Sequence, residues 1–317
     1  MIRIGLDVMG GDYAPGAILS GAWLALRDLP HDVMLVLIGK ESVIRHSLKK
    51  NNIPENKVEV VNAPEVIEMG DHPARGFTQK TDSSIVRGFK LLSTGQIDAF
   101  ASAGNTGAML VGTTMVIKTI PGVIRPTIAT TLPNIHNKPT VILDVGINPD
   151  SKPDVLYQYG FLGSLYARYV YHVENPRVAL LNIGAEETKG NLVVRSAYEL
   201  MKDTHDFNFI GNIESNEFFT RDKADVVVCD GFVGNIVIKE AETVYAIARE
   251  RNISDPFFDR FNFENYGGTP ILGINKNVVI AHGISNKQAI HTMIFQTWDV
   301  IKADLVGKIK KHFSNGK

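Results

Sequence analysis

Short, β-branched apolar runs alternate with longer amphipathic stretches along the whole chain, and this alternation restricts the possible folds more than any other feature. The strand-like runs are residues 2–8, 33–38, 58–61, 99–102, 127–132, 140–145, 177–181, 207–210, 225–229 and 278–281. Between most of them lie segments with helical periodicity: 16–27, 41–49, 84–93, 105–118, 155–169, 191–202, 234–251 and 286–312. Strands joined through helices are βαβ crossovers. The expected fold class is therefore α/β, a largely parallel sheet with helices on both faces. In such sheets ligands collect at the carboxyl ends of strands, where a loop opens into a helix.

No internal repeat or low-complexity linker interrupts the pattern. Residues 1–317 are expected to form a single α/β domain or two interdigitated lobes, with the Pro-containing stretches 120–126 and 132–139 marking passage between lobes. The final helical segment carries Ile301, Leu305, Ile309 and Phe313 at four-residue spacing, with Lys302, Lys308, Lys310 and Lys311 around them. That is a core-packed helix with a solvated basic face, or a helix that touches a membrane surface.

Charge and cysteine usage narrow the function classes. The chain has 33 Lys and Arg against 34 Asp and Glu, a formal charge of −1. A nucleic-acid partner is not expected, because phosphate neutralisation needs an excess of cations. With Cys229 alone there is no internal disulfide and no Cys-based zinc site, which fits a reducing compartment. The first residues enter a strand-like run directly, so no secretory leader is expected, and no apolar stretch approaches the roughly 20 residues that span a bilayer. A cytoplasmic protein follows, with attachment to a membrane surface left open.

Glycines cluster just after the strand-like runs, beside Asn, Ser, Thr or Asp: Gly10 and Gly11, Gly104 and Gly107, Gly146, Gly184 and Gly190, Gly231 and Gly234, and Gly283. Such loops bring backbone N–H groups close to an anion. The clearest is Ser102-Ala103-Gly104-Asn105-Thr106-Gly107, where Asn105 or Thr106 caps the following helix. It is either a pocket for a small phosphate or a plain capping loop. A second loop runs from Cys229 through Asp230, Gly231 and Gly234 to Asn235. Its thiol is a nucleophile lowered in pKa by a helix start, or a small buried hydrophobe closing an apolar run, and its position favours the second. In a third loop Lys189 stands next to Gly190, free to reach a substrate oxygen or to serve as an ordinary surface lysine, with Glu186 and Glu187 nearby. Asp144 with Asn148, and His282 with Gly283, mark two more polar strand ends. His282 is placed to donate to an oxyanion or to bond the backbone.

Sharper motifs are absent. There is no P-loop, no G-x-G-x-x-G after the first strand, no H-E-x-x-H and no G-x-S-x-G elbow. No metal or other cofactor is expected. Several anion-friendly loops, one loop lysine and no obvious protein nucleophile suit an enzyme whose nucleophile is itself a phosphate.

Taken in order, Asp7 to Asp12, Asp82-Ser83-Ser84, Ser102 to Gly107, Arg125-Pro126, Asp144 to Asn148 with Ser151-Lys152-Pro153, Lys189-Gly190-Asn191, Gly211 to Glu214, Cys229 to Asn235, Tyr266-Gly267-Gly268 and Ala281-His282-Gly283 resemble the bacterial PlsX-type phosphate acyltransferases of phospholipid synthesis. The likeness spans roughly residues 5 to 300. It implies transfer of a fatty acyl group from acyl carrier protein to inorganic phosphate, giving acyl phosphate for a membrane glycerol-3-phosphate acyltransferase. It also implies a homodimer and the fold of phosphotransacetylase and isopropylmalate dehydrogenase. On this resemblance Lys189, Asn235 and His282 are the expected catalytic residues. Ser102, Gly104, Asn105, Thr106, Gly107 and Gly234 are expected to bind phosphate, and Asp7, Gly10, Gly11, Asp144 and Asn148 are further site candidates.

Four departures from the common family pattern stand out. Val8 replaces Ala, Ile284 replaces Ser, Gly76-Phe77-Thr78-Gln79-Lys80 lacks the usual Arg, and the 239–266 region is short. That region holds Ile253, Phe257, Phe258, Phe261 and Phe263 among charges, to grip the carrier protein, line an acyl channel or simply pack under a loop. Competing functions are a phosphotransacetylase-like acyl-CoA:phosphate acyltransferase and a non-catalytic scaffold that binds carrier protein.

Overall fold

The computed structural model describes residues 1–136 and 138–315, with the side chains of residues 218, 263 and 315 outside that description. The described strands are β1 (Ile2–Asp7), β2 (Val33–Gly39), β3 (Val58–Asn62), β4 (Ala99–Ser102), β5 (Thr127–Pro133), β6 (Pro139–Leu143), β7 (Arg177–Leu181), β8 (Asn208–Ile213), β9 (Val226–Val228), β10 (Thr269–Leu272) and β11 (Asn277–Ile280). The described α-helices are α1 (Gly16–Asp28), α2 (Glu41–Lys50), α3 (Pro73–Gln79), α4 (Ser84–Ser93), α5 (Thr106–Gly112), α6 (Pro153–Val170), α7 (Leu192–Met201), α8 (Ser215–Thr220), α9 (Gly231–Glu250), α10 (Pro256–Asp259), α11 (Lys287–Lys302) and α12 (Leu305–Asn315). This is the α/β class, largely parallel, that the alternation predicts. The chain divides into two compact units, Met1–Thr119 with Glu264–Lys302, and Ile120–Phe263 with Ala303–Lys317.

In the first unit the strand order is β3-β2-β1-β4-β11-β10, parallel except for β10, which runs antiparallel to β11. The central strands are buried on both faces, so their side chains read as continuous apolar runs: Ile4, Leu6, Leu35, Leu37 and Ala101 are inaccessible to solvent. One face is covered by α1 and α11, whose Trp23, Ile290, Met293 and Ile294 join these strand residues in one core. Edge-to-face stacking links Phe77 of α3, Phe89 of α4 and Phe100 of β4, with centroids 5.9 and 5.3 Å apart.

In the second unit the order is β5-β6-β9-β7-β8, parallel except for β5, which forms an antiparallel pair with β6. Helix α6 brings the buried Tyr159, Leu162 and Tyr166. A second core holds Leu132, Ile142, Ala179, Val227 and Phe261. Phe257 stacks on Phe261 at 5.2 Å, and the Arg260 guanidinium lies over Phe257 while donating to the Asn134 carbonyl at 2.9 Å. The aromatic residues of the short 239–266 region thus pack under a loop in part, although Ile253 stays exposed.

The structure departs from the sequence expectation in specific places. Strand β10 was not anticipated because Pro270 sits inside it. The 105–118 segment is α5 followed by a π-helical turn, Thr113–Ile117, stopped at Lys118 by a positive φ of 63°. The last helical segment is two helices. Asp304, at φ 45°, breaks it, so Ile301 belongs to α11 of the first unit and Leu305, Ile309 and Phe313 to α12 of the second. Of the lysines around them, Lys302 lies 4.2 Å from the Trp298 ring centroid and Lys308 4.4 Å from that of Tyr169. No helix among the described residues is long and apolar enough to cross a membrane.

Helix α1 approaches α11 through Gly21, where a Cβ would fall 2.6 Å from Ile290 Cβ and 2.7 Å from the Lys287 carbonyl oxygen. Neither atom is the free end of a side chain, so the helices must separate to admit a methyl group. Gly21→Ala gains up to about 1 kcal/mol of helix propensity and loses more to overpacking, for an expected net destabilisation of about 1–2 kcal/mol in urea unfolding.

Candidate active site

In the first unit the parallel strands β1, β4 and β11 deliver three loops to one edge, carrying Asp7 to Asp12, Ser102 to Gly107 and Ala281 to Ser285. Asp7, the last residue of β1, is completely buried. Its Oδ1 accepts from the Met9 N–H at 2.9 Å, and its Oδ2 accepts from the Ser102 hydroxyl at 2.7 Å. Burial pushes this carboxyl above its ordinary range, against the opposing hydrogen bonds of Ser84, Ser102, Met9 and Gly10. Ser102 Oγ in turn accepts the Gly104 N–H at 2.9 Å. Its one proton is committed to Asp7, so Ser102 enters the loop as a brace.

Asn105 is the N-cap of α5, its Oδ1 accepting from the Ala108 N–H at 3.0 Å. Its Nδ2 donates to three carbonyls of a neighbouring loop, Glu68, Met69 and Asp71, at 3.0 to 3.2 Å. Both ends of the amide are therefore engaged in structure. Thr106 and Gly107 occupy the first two helical positions, where N–H groups have no intrahelical acceptor. Gly107 lies under Pro73, the first residue of α3, two residues before the exposed Arg75.

Two glycines of the first loop lie close to the backbone of the neighbouring loops, and Gly10 also to the Asp7 carboxylate. At Gly10 a Cβ would lie 2.6 Å from both N and Cα of Gly104. Gly11, with φ at 104°, faces the carbonyls of Ala103 and Gly283 at 3.2 and 3.1 Å from the same hypothetical atom. The Asp12 N–H donates to the Gly283 carbonyl at 2.8 Å. The three loops are thus tied to one another, with His282 exposed on the third. Asp7, Gly10, Gly11, Ser102 and Gly104 form one cluster, Asn105 to Gly107 continue it, and His282 stands on the loop that closes it.

The second unit places its polar strand ends on the parallel strands β6, β9 and β7. Asp144, also fully buried, follows β6. Its Oδ1 accepts from the N–H groups of Ile128, Val145 and Ile147 at 3.2, 2.8 and 3.4 Å. Its Oδ2 accepts from the Asn148 N–H and Nδ2 at 2.6 and 3.2 Å. Asn148 Nδ2 also donates to the Pro126 carbonyl at 2.7 Å, and its own carbonyl accepts the Gly231 N–H at 2.8 Å. The Tyr159 phenol stands near this cluster, and its pKa is raised by burial and then by the Asp144 charge, with Ser151 and Arg125 pulling the other way.

Helix α9 starts at Asp230, whose carboxylate caps it by accepting from the Val233 N–H at 2.8 Å. The N–H of Gly234 is donated to the Asp230 carbonyl at 3.0 Å, and a Cβ there would collide with the Asp144 carbonyl oxygen. Gly234, expected among the phosphate contacts, gives the Asp144 carbonyl room, and its N–H is engaged within the helix. One residue on, Asn235 is exposed and lies beside Gly146. Lys189 is also exposed, and it makes no ion pair among the described residues. Its loop is fixed by Asn182, which donates to the Lys189 carbonyl at 3.1 Å, and by the Asn191 cap of α7. Asp144, Asn148 and Gly234 therefore form one cluster with Asn235 at its rim, while Lys189 leaves the next strand of the sheet.

Cys229 is buried, its thiol 3.5 Å from the Asp144 carbonyl oxygen, and burial raises its pKa well above the ordinary value. It is the small hydrophobe of the two alternatives. Ser84 and Tyr159 were missed as site neighbours; Ser84 lay in a quoted motif, whereas nothing in the sequence marks Tyr159. No group of three or more His, Cys, Asp or Glu that could hold a metal ion occurs among the described residues.

Strand-end glycine loops on a mostly parallel sheet, with anchored backbone and exposed Lys and Asn side chains, define the class as an α/β protein with polar loops at its strand ends. Comparison with known proteins agrees. A family model described as "Fatty acid synthesis protein" matches residues 2–253. A phosphate acyltransferase of Dictyoglomus turgidum is 39% identical over 327 residues, covering 97% of this chain and 96% of that protein. One of Halothermothrix orenii is 39% identical over 333 residues, covering 99% of each. Among solved structures, the EutD phosphotransacetylase from Staphylococcus aureus superposes with a TM-score of 0.63 at 17% identity, covering 95% of this chain and 94% of that one. A phosphotransacetylase from Streptococcus pyogenes gives 0.64 at 17% identity with the same coverage. The latter two share the fold. The chain belongs to the PlsX-type phosphate acyltransferase family of fatty acid and phospholipid synthesis.

Two predictions follow from this geometry. Asn105→Ala removes a cap and the amide donor to three carbonyls, for an expected loss of about 1–3 kcal/mol in chemical unfolding. Asn105→Asp keeps the cap but turns a carboxylate oxygen towards those carbonyls, so it gives no recovery. Cys229 should resist iodoacetamide in the native protein at pH 8 and be labelled fully after unfolding in urea; native-state labelling at a comparable rate would contradict its burial.

Proposed function

We propose that the chain transfers a fatty acyl group from acyl carrier protein to inorganic phosphate, releasing acyl phosphate and the free carrier thiol. The family supports the acyl transfer to phosphate. The observation that supports phosphate as the nucleophile is the state of Cys229: the one thiol of the chain is buried with its pKa raised, which removes it as a competing nucleophile.

In the proposed reaction a phosphate oxygen adds to the thioester carbonyl, forming C–O. The tetrahedral oxyanion then collapses and breaks C–S, and the departing thiolate takes a proton, from phosphate or from solvent. Such a leaving group demands little acid assistance, so orientation and charge stabilisation supply most of the rate. The open N–H groups of Thr106 and Gly107 are assigned to phosphate. Lys189 neutralises phosphate or the developing oxyanion, the Asn235 amide donates to these oxygens, and His282 assists. Asp7, Gly10, Gly11, Ser102, Gly104, Asn105, Asp144, Asn148 and Gly234 hold the loops that present these groups. No cofactor takes part in this scheme. A homodimer in the cytoplasm, making peripheral contact with the membrane where a glycerol-3-phosphate acyltransferase consumes the product, completes the proposal.

The test is turnover of palmitoyl-[acyl carrier protein] with and without phosphate, following free carrier protein and capturing acyl phosphate with hydroxylamine. Phosphate-dependent release is expected, and Lys189→Ala and Asn235→Ala should each lower kcat by ~10²–10³. Near wild-type turnover in both variants would remove these two roles. Turnover confined to acyl-CoA would assign the phosphotransacetylase activity instead, and binding without turnover would make the protein a scaffold.

A further inference from the structure

Asp7 is a carboxylate with no solvent contact and no ion pair among the described residues. Leaving an anion in such a place is costly unless its lone pairs are filled. Here they are filled by Met9, Gly10, Ser84 and Ser102, all hydroxyl or N–H donors. One of these bonds leads onward. Ser102 has a single proton, and because Asp7 takes it at 2.7 Å, Ser102 Oγ is left as a pure acceptor for the Gly104 N–H at 2.9 Å. The polarity of the chain Gly104, Ser102, Asp7 is thus set from its buried end. There is little slack to absorb a change, since Gly10 and Gly104 touch backbone to backbone.

We propose that Asp7 is the positioning residue of the 102–107 loop: by fixing the Ser102 hydroxyl it sets where Gly104 lies, and so the shape of the loop assigned to phosphate. This rests on the assignment of that loop to phosphate made above. Asparagine has nearly the same shape but the wrong polarity. An amide nitrogen in place of Oδ2 would donate to Ser102 Oγ and leave its hydroxyl proton without the acceptor that fixes it, and the opposite amide orientation would set that nitrogen against the Met9 N–H, donor to donor. Hydrogen bonds to a small anion are directional, so a loop displaced by a fraction of an ångström holds phosphate less well while leaving the acyl substrate untouched.

The experiment measures KM for phosphate, KM for palmitoyl-[acyl carrier protein] and kcat for the wild type, Asp7→Asn, Ser102→Ala and the double variant. Asp7→Asn is expected to raise the phosphate KM about tenfold, the equivalent of one lost contact. kcat should fall by a smaller factor and the KM for the acyl substrate should stay within about twofold. Ser102→Ala, which removes the relay without adding bulk or charge, should behave alike and carries the test alone if Asp7→Asn fails to fold. Because the two residues act as one unit, the double variant should be no worse than the poorer single variant by more than about threefold. An unchanged phosphate KM in a folded variant overturns the proposal, as do equal increases in both KM values or a fully multiplicative double variant. If the wild type itself shows no phosphate-dependent turnover, the functional assignment falls and takes this inference with it.

Discussion

Each unit is organised around a carboxylate that never meets water. Asp7 ends β1 and Asp144 follows β6, both fully buried and neither paired with a cation among the described residues. Desolvating such a group costs far more than one hydrogen bond returns, so it persists only where several donors converge on it. Asp144 collects five donors from Ile128, Val145, Ile147 and Asn148. Asp7 collects hydroxyls and N–H groups from three parts of its unit. The loops after these strands are therefore folded inward around a buried carboxyl group of the protein itself, and their outer surfaces inherit the rigidity.

That inward folding explains the glycines better than ligand binding does. Gly10 lies against Gly104 and the Asp7 carboxylate, Gly231 would place a Cβ 2.7 Å from Asp144 Oδ2, and Gly234 passes under the Asp144 carbonyl. Each makes room for backbone to approach a buried carboxylate or its own main chain. At Thr106 and Gly107, the first two positions of α5, the N–H groups have no intrahelical acceptor. A glycine after a strand is thus a sign of close packing first, and of anion binding only where the nearby acceptors have run out.

The fold was legible wherever burial dictates periodicity. All ten apolar runs are strands, and Ser84–Ser93 matches the helical segment expected there, because a strand covered on both faces and a helix covered on one leave different patterns. Short elements set by capping were not found: α3 begins His72-Pro73 and α10 begins Asp255-Pro256, a proline at the first helical position that periodicity ignores. Site legibility divides in the same way. Ser102, Asn105, Asp144 and Asn148 were identifiable as polar residues at strand ends, yet the partners that consume their hydrogen bonds come from distant sequence, such as Asp7 95 positions before Ser102. Which donors are spent depends on those pairings: the Ser102 hydroxyl, the Asn105 amide and the Gly234 N–H are engaged inside the protein.

The titratable groups most displaced by burial around the strand ends, Asp7, Cys229 and Tyr159, are turned inward, and burial is the first cause of each shift. A site built on proton transfer by a side chain would place such groups against substrate. Here their electrostatics are used to hold loops, while the side chains that reach outward, Lys189 and Asn235, are a fixed charge and a neutral donor on anchored backbone. Thioester cleavage by phosphate suits that division, since the nucleophile arrives already anionic and the leaving thiolate needs little help. What the proposed reaction requires of a protein is geometry, and within each unit a buried carboxyl group at a strand end fixes the loop that follows it.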